Sequence, residues 1–426
     1  MSSISCFVEG SNKLNNDFFP IVLGSDENAY ATARCFNDEY GVKPLCLCSK
    51  ALGQTWRSKI LTVKVLEGFE MPEVFVRELL NELKAREGKG KLLVIPCADY
   101  YLELLVRNYD KFEGRIANRF ISEELFDKIG TKDTFYALCD ELGLYYPPTV
   151  ICECEDRLNV LNELPFGFPM VMKPENSNAT EYLSCSFEGK RKAYFLNSKE
   201  EYLDIVSKMD RAGYNGKLIL QKLIRGSDAT SFVINAYSGT DGKVRFMSVG
   251  QVVLEEYSPS MLGNYAGIIP VRKPDLENDV REFLEGIGYI GISNVDVKYD
   301  ADTGRYCFFE INPRHGRSSY YIRAAGYYLM TEPVIDAEEG VVSDSLRYPE
   351  GEGIWASVPK GTLLKYMPKG EIRDRAVALI KKYGITRVQD NPRDNDLLRR
   401  IRYRRIMKIK ALSFKRYYFD KEKLGK

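Results

Sequence analysis

The chain has 426 residues, of which 44% are hydrophobic and 28% charged, and its net charge is only +1. That length allows two or three domains with sizeable cores, no run approaches the roughly 18 apolar residues of a membrane span, and the opening stretch MSSISCFVEGSNKLNND lacks the basic and apolar regions of a signal peptide. Ten cysteines accompany a single histidine, and the C-x-C pairs Cys46/Cys48 and Cys152/Cys154 read as reduced thiols of a cytoplasmic protein; a histidine-built metal site is excluded, so any metal is held by oxygen.

Phe18–Leu23 predicts a strand stopped by Gly24, Ser25 and Asp26. A helix follows over residues 28–40 with Gly41 placed to end it, then strands over 42–48 and 91–95 and a helix over 100–109. This alternation predicts a parallel sheet with crossover helices. No G-x-G-x-x-G is present to support a dinucleotide site. Ser25 and Asp26 stand where a substrate could be touched, although a polar turn accounts for them.

Residues 132–142 carry Phe135, Leu138, Cys139 and Leu142 at helical spacing, closed by Gly143 and the Pro147-Pro148 pair. Lys132 falls in the first turn, where a cation opposes the positive end of the helix dipole. An anion shared with the helix N-terminus would explain it; an ordinary surface lysine is the alternative. From Phe166 the texture changes to strands and turns. In FGFPMVMKP, Met170 and Met172 share one side while Lys173 falls with Val171 on the other, placed either to meet a phosphate or simply to face solvent. LILQKLIRG, residues 218–226, reads as a buried strand running into a turn. Its end can offer backbone groups to adenine with Leu223 or Ile224 over the ring, and Asp228 can accept from ribose hydroxyls; a plain core strand is the competing reading. An amphipathic helix is expected over 275–287.

The most informative segment is a hairpin, SNVDVKY and RYCFFEI, joined by a turn over residues 300–304. Strict alternation would put Asp296 opposite Val295 and Val297, and would set Tyr306, Phe308, Glu310 and Asn312 on one face away from Cys307, Phe309 and Ile311. Pairing around the turn brings Asp296 to Glu310 and Asn312. Two carboxylates and an amide carbonyl are hard oxygen ligands suited to Mg²⁺; a solvated polar face is the alternative. Arg314, just past the strand, could neutralise a phosphoryl group or an oxyanion, or be a surface arginine.

After Ser345 the pattern is weak, and from Arg399 onward twelve Lys/Arg stand against two Asp/Glu, leaving about −9 on the first 398 residues. If residues 399–414 are helical, apolar residues recur near three- and four-residue spacings beside the cations. That predicts either a basic amphipathic face for an anionic partner, such as the inner membrane leaflet or a cell-wall precursor, or a helix docked on the domain. No nucleic-acid recognition module accompanies it.

Taken in order, GTKDTFYALCDELGLYYPPT, FPMVMKP, LILQKLIRGSD, NVDVKY and FFEINPRHG resemble the ATP-grasp superfamily over about residues 18–326. The resemblance implies a parallel-sheet Rossmann-like domain over 1–120, an ATP-grasp domain over 121–345 made of two α+β subdomains holding ATP between them, and a C-terminal region over 346–426. It implies that Lys132 and Lys173 contact ATP phosphates, that Gln221, Lys222, Leu223 and Ile224 line the adenine pocket, and that Asp228 lies near ribose. Asp296, Glu310 and Asn312 would bind Mg²⁺, or Mn²⁺ in its place, and Arg314 would steady acyl-phosphate chemistry. The phosphate loop departs from the usual Gly/Ser-rich form, reading Glu175-Asn176-Ser177-Asn178-Ala179-Thr180. FFPIVLGSDENAYATARCFNDEYGVKPLCLCSK and RFISEELFDKIGTKD look like the bacterial D-aspartate ligase group, which attaches D-aspartate to the lysine side chain of a peptidoglycan precursor. The expected activity is ATP-dependent amide formation between a carboxylate and an amine; a dipeptide or other small-amide ligase, or a kinase on the same nucleotide site, is the alternative.

Overall fold

The structure, a computed structural model, describes residues 17–112, 114–175, 180–339, 345–419 and 421. Strands β1 (Phe18–Leu23), β2 (Leu45–Cys48), β3 (Thr62–Val65) and β4 (Lys91–Pro96) form a parallel sheet in the order β3-β2-β1-β4. β2 starts three residues later than expected, after Pro44, which has no N–H to give to a ladder. The helix Glu27–Tyr40 begins at Asp26, whose side chain accepts from the Ala29 N–H, and ends at Gly41 in the left-handed conformation. Ser25 Oγ donates to the Lys50 carbonyl at 2.7 Å. Both residues thus build the polar turn.

A second sheet contains β5 (Thr149–Cys152), β6 (Met170–Pro174), β7 (Tyr194–Leu196) and β8 (Leu218–Lys222) in the antiparallel order β5-β8-β6-β7. Met170, Met172, Tyr194, Leu196, Leu218 and Leu220 form its apolar face with Tyr202, Val206 and Met209 of the helix Lys199–Arg211. The register pairs Val171 with both Phe195 and Gln221, so Phe195, Gln221 and Lys173 share the opposite face.

The third sheet joins β9 (Ser231–Ser238), β10 (Val244–Glu255), β11 (Tyr265–Val271), β12 (Gly291–Asp300), β13 (Arg305–Asn312) and β14 (Trp355–Ala356) in the order β13-β12-β9-β10-β11-β14. One face buries Val295, Val297, Phe308 and Ile311 against Phe135 and Phe283 of the helices Lys132–Glu141 and Pro274–Gly286. The other packs Val233, Tyr237 and Phe246 into a core that includes Tyr30 and Phe36 of the N-terminal part. The chain is therefore an α/β protein, with a parallel sheet followed by two α+β lobes.

The C-terminal helix runs Leu397–Tyr417. It is docked: Phe414 is 1% exposed and its ring meets Tyr257 and Tyr366, while Arg399 donates to the carbonyls of Gln54 and Trp56. The expected single amphipathic stripe does not form. Phe414 faces inward, whereas Leu398, Ile401, Ile409 and Leu412 are exposed among Arg400, Arg404, Arg405, Lys408, Lys415 and Arg416. The nine described cysteines form no disulfide, and eight are buried. No helix of the described residues is long and apolar enough to cross a membrane.

Candidate active site

The hairpin β12–β13 sets Asp296 opposite Glu310 and Asn294 opposite Asn312. Its register then slips, so that Val297 pairs with Phe308. This bulge at Phe309 corrects the strict alternation expected for β13. Phe308 turns into the core, fully buried, and the Phe309 carbonyl accepts from Lys132 Nζ and from Tyr136 Oη.

Lys132 Nζ also lies 3.0 Å from Glu310 Oε2. Tyr265 Oη donates to Asp296 Oδ1 at 2.7 Å, and Asn312 Nδ2 lies 3.3 Å from Asn294 Oδ1 and 3.4 Å from Asp296 Oδ2. The Glu310 side chain is 45% exposed and feels the charge of Lys173 on the second sheet as well as that of Lys132. The electrostatics are unbalanced in two opposite ways. Lys132 holds the Glu310 carboxyl well below its ordinary range, while burial and then the Glu310 charge push Asp296 well up. Across the cleft, burial and then the charge of Lys132 bring Lys173 down to about 7. The carboxylate end is short of positive charge and the lysine end short of negative charge.

A magnesium-bound phosphate chain has the charge to satisfy both ends. The donors fit that ion: two carboxylates and an amide oxygen, without imidazole or thiolate. Among the described residues no group of three or more His, Cys, Asp or Glu could hold a metal, so a metal at this pair would take the rest of its shell from outside oxygens.

The remaining expected residues divide. Asn176–Ala179 of the phosphate loop lie outside the described residues. Gln221 is not an open pocket wall: it is 2% exposed and its amide donates to Tyr136 Oη at 2.7 Å and Thr149 Oγ1 at 2.9 Å. Lys222 ends β8, with Leu223 half-buried and Ile224 buried beyond it. Asp228 is 2% exposed and already engaged by the Glu255 N–H at 2.9 Å, Tyr257 Oη at 2.9 Å and Lys421 at 3.3 Å. Lys421, from beyond the C-terminal helix, is thus one of the three groups on this carboxylate. Arg314 donates to both carboxylate oxygens of Asp99 at 2.6 and 3.0 Å, tying the site to the N-terminal sheet. The neighbouring His315 is buried, with Nε2 2.8 Å from Thr32 Oγ1; burial holds it neutral, at about 3.

Sequence reasoning missed Tyr265 and Asn294. Asn294 shares the Asp296 face by alternation and was findable; Tyr265 comes from another strand, without a local signal.

Two α+β lobes behind a parallel-sheet domain form the arrangement of an ATP-grasp enzyme, and its relatives make the chain an ATP-dependent carboxylate–amine ligase. The fold is shared with solved structures. An L-amino acid ligase from Bacillus licheniformis matches with a TM-score of 0.53 and 16% identity over 76% of this chain and 74% of that one. An N5-carboxyaminoimidazole ribonucleotide synthetase from Thermus thermophilus matches with a TM-score of 0.53 and 17% identity over 79% and 82%. At 36% identity over 424 residues, 96% of this chain and 98% of that one, the sequence is similar to the D-aspartate ligase of Enterococcus faecium, and the chain belongs to the D-aspartate ligase family. No protein-family model matches it.

Proposed function

We propose that this ligase activates D-aspartate and joins it to an amine of a peptidoglycan precursor in the cytoplasm. The observation that carries the reading is the 36% identity to a D-aspartate ligase across 96% of the chain. In this reading Asp296, Glu310 and Asn312 hold Mg²⁺ or Mn²⁺, which when bound offsets phosphate charge. Lys132 and Lys173 orient the γ-phosphate for attack by a substrate carboxylate oxygen, and ADP leaves. The amine then attacks the acyl carbon, phosphate departs, and the amide forms. Arg314 steadies the oxygen that gains charge, released from Asp99 or with it. Adenine lies against the backbone of Lys222, Leu223 and Ile224 beside Gln221, and ribose reaches Asp228. The chain divides near residues 120 and 345.

The outward side of the C-terminal helix suits an anionic lipid surface, since seven exposed cations of the helix stand among exposed Leu398, Ile401, Ile409 and Leu412. Each cation near such a surface adds about 1 kcal/mol, screened by salt. Co-sedimentation with anionic vesicles at low salt and release at high salt is expected; retention in the supernatant at low salt rejects the contact.

The deciding assay is ADP release with single amino acids, D and L, with and without a nucleotide-linked pentapeptide. ADP formation requiring D-aspartate and the peptide together supports the reading. Equal turnover with other amino acids, or with free amino-acid acceptors, rejects it.

A further inference from the structure

Four polar side chains stand in a row across the six-stranded sheet. Asn312 of β13 is opposite Asn294 of β12, Asn294 is opposite Asn235 of β9, and Asn235 is opposite Ser248 of β10. Asn312 is half-buried, whereas Asn294 and Asn235 are 3% and 0% exposed. The three asparagines are joined through their amides. Asn312 Nδ2 lies 3.3 Å from Asn294 Oδ1, and Asn294 Nδ2 lies 3.3 Å from Asn235 Oδ1. Both links have the same sense, a nitrogen toward the oxygen of the next strand inward.

The two sides of an amide have nearly the same shape, so its neighbours decide which way it turns. Asn312 Nδ2 has two acceptors, Asn294 Oδ1 and, at 3.4 Å, Asp296 Oδ2. Both draw the nitrogen and leave Oδ1 available to a cation. Asn294 can offer its oxygen only while its nitrogen is engaged elsewhere, and Asn235 Oδ1 engages it. Asn235 itself keeps a buried Nδ2 without a partner among the described residues. An apolar side chain of similar size would avoid that cost, so folding alone does not account for an asparagine there.

Gly316 covers the middle of the run. A Cβ at this position would stand 3.0 Å from Asn294 Cγ and Nδ2 and 3.1 Å from Oδ1. The backbone two residues past Arg314 therefore lies over the face of the Asn294 amide, and any side chain there would press on it.

We propose that Asn294 and Asn235 are positioning residues for the magnesium site: the run of amides, covered by Gly316, holds Asn312 with its carbonyl oxygen toward the ion. This rests on the assignment of Asn312 as a metal ligand in the function proposed above. Asn294 and Asn235 act through Asn312, in the way that partners behind a metal ligand fix its orientation.

The test is ADP binding to the full-length protein by titration calorimetry, in EDTA and at saturating magnesium, with thermal melts to establish folding. The quantity read is the factor by which magnesium tightens ADP. Asn235→Leu removes the acceptor for Asn294 Nδ2 at similar volume and should shrink that factor about ten-fold, with ADP affinity in EDTA at the parent's value. Gly316→Ala keeps every amide and presses only on Asn294. It should shrink the factor in the same direction, and it serves if Asn235→Leu fails to fold. A folded variant in which the factor is unchanged, including one that loses ADP affinity equally with and without magnesium, overturns the proposal whatever its melting temperature. Failure of the ligand assignment looks different: Asn312→Ala, expected to remove most of the magnesium-dependent gain, then keeps all of it, and the positioning role falls with it.

Discussion

At the residue scale the site is a set of charges that lack their counter-charges. Glu310→Gln removes the anion whose charge Lys132 favours in the fold and also the neighbour that disfavours the Asp296 charge, so the fold should persist with a melting temperature modestly below that of the parent. ADP formation at saturating Mg²⁺ should drop by about two orders of magnitude or more, the scale of a lost charge-stabilising group; turnover within a few-fold of the parent would remove Glu310 from the chemistry. Lys173 supplies a second expectation. Its ordinary value of 10.5 falls to about 7 in the fold, so at pH 8 most molecules hold it neutral. A bound phosphate favours its charged form, and nucleotide binding at that pH should take up a proton. Calorimetry in two buffers of different ionisation enthalpy reads this uptake, and Lys173→Met should abolish it. His315 is lowered by burial as well, and here the consequence is for stability. Its ordinary value of 6.5 falls to about 3, so between these limits the unfolded chain binds the proton and the folded one does not. Stability therefore rises with pH across that window and is lost toward acid, by on the order of 5 kcal/mol over its whole width. His315→Gln should flatten melting temperature against pH between 6.5 and 4; an unchanged slope would place the acid sensitivity elsewhere.

At the element scale the C-terminal helix has two unlike sides. Phe414 is 1% exposed in a core with Val253, Leu363 and Met367, and Phe414→Ala should cost about 3–5 kcal/mol of unfolding free energy. Serine in place of Arg404 and Lys408, both exposed, should leave the urea midpoint within error and reduce vesicle binding alone. This contrast explains which parts of the protein were legible in the sequence. The helix end written in local chemistry at Gly41 appears where expected, and the common side of Glu310 and Asn312 follows from period two, whereas the bulge at Phe309 is what sets Asp296 opposite Glu310. The exchange of Phe308 and Phe309 does not follow from that period, because a bulge is decided by the partner strand. Nor does the engagement of Tyr265 with Asp296, whose ladder neighbours are β9 and β13 rather than β11. The burial of Asp228 under Lys421 depends on a segment from the far end of the chain.

At the scale of the whole molecule, the N-terminal sheet and the catalytic hairpin are fastened by a few buried polar contacts. Asn28 donates to the carbonyls of Cys97 and His315 at 3.2 and 3.1 Å, directly beside the Arg314–Asp99 pair. Asn28→Ala leaves both carbonyls without that donor and should cost about 1–3 kcal/mol, with a fall in kcat at saturating ATP as Arg314 loses its fixed position. A variant that loses stability but keeps kcat would show that the fastening serves folding alone. The pairing of Lys132 with Glu310 has a further consequence, for synthesis. The two residues are 178 positions apart, and at about 5–20 residues per second a ribosome needs roughly 9 to 36 s to deliver the second after the first. For that interval the sheet over the helix Lys132–Glu141 is still without the β12–β13 hairpin, which makes the emerging chain a client for holding chaperones well before it can become an enzyme.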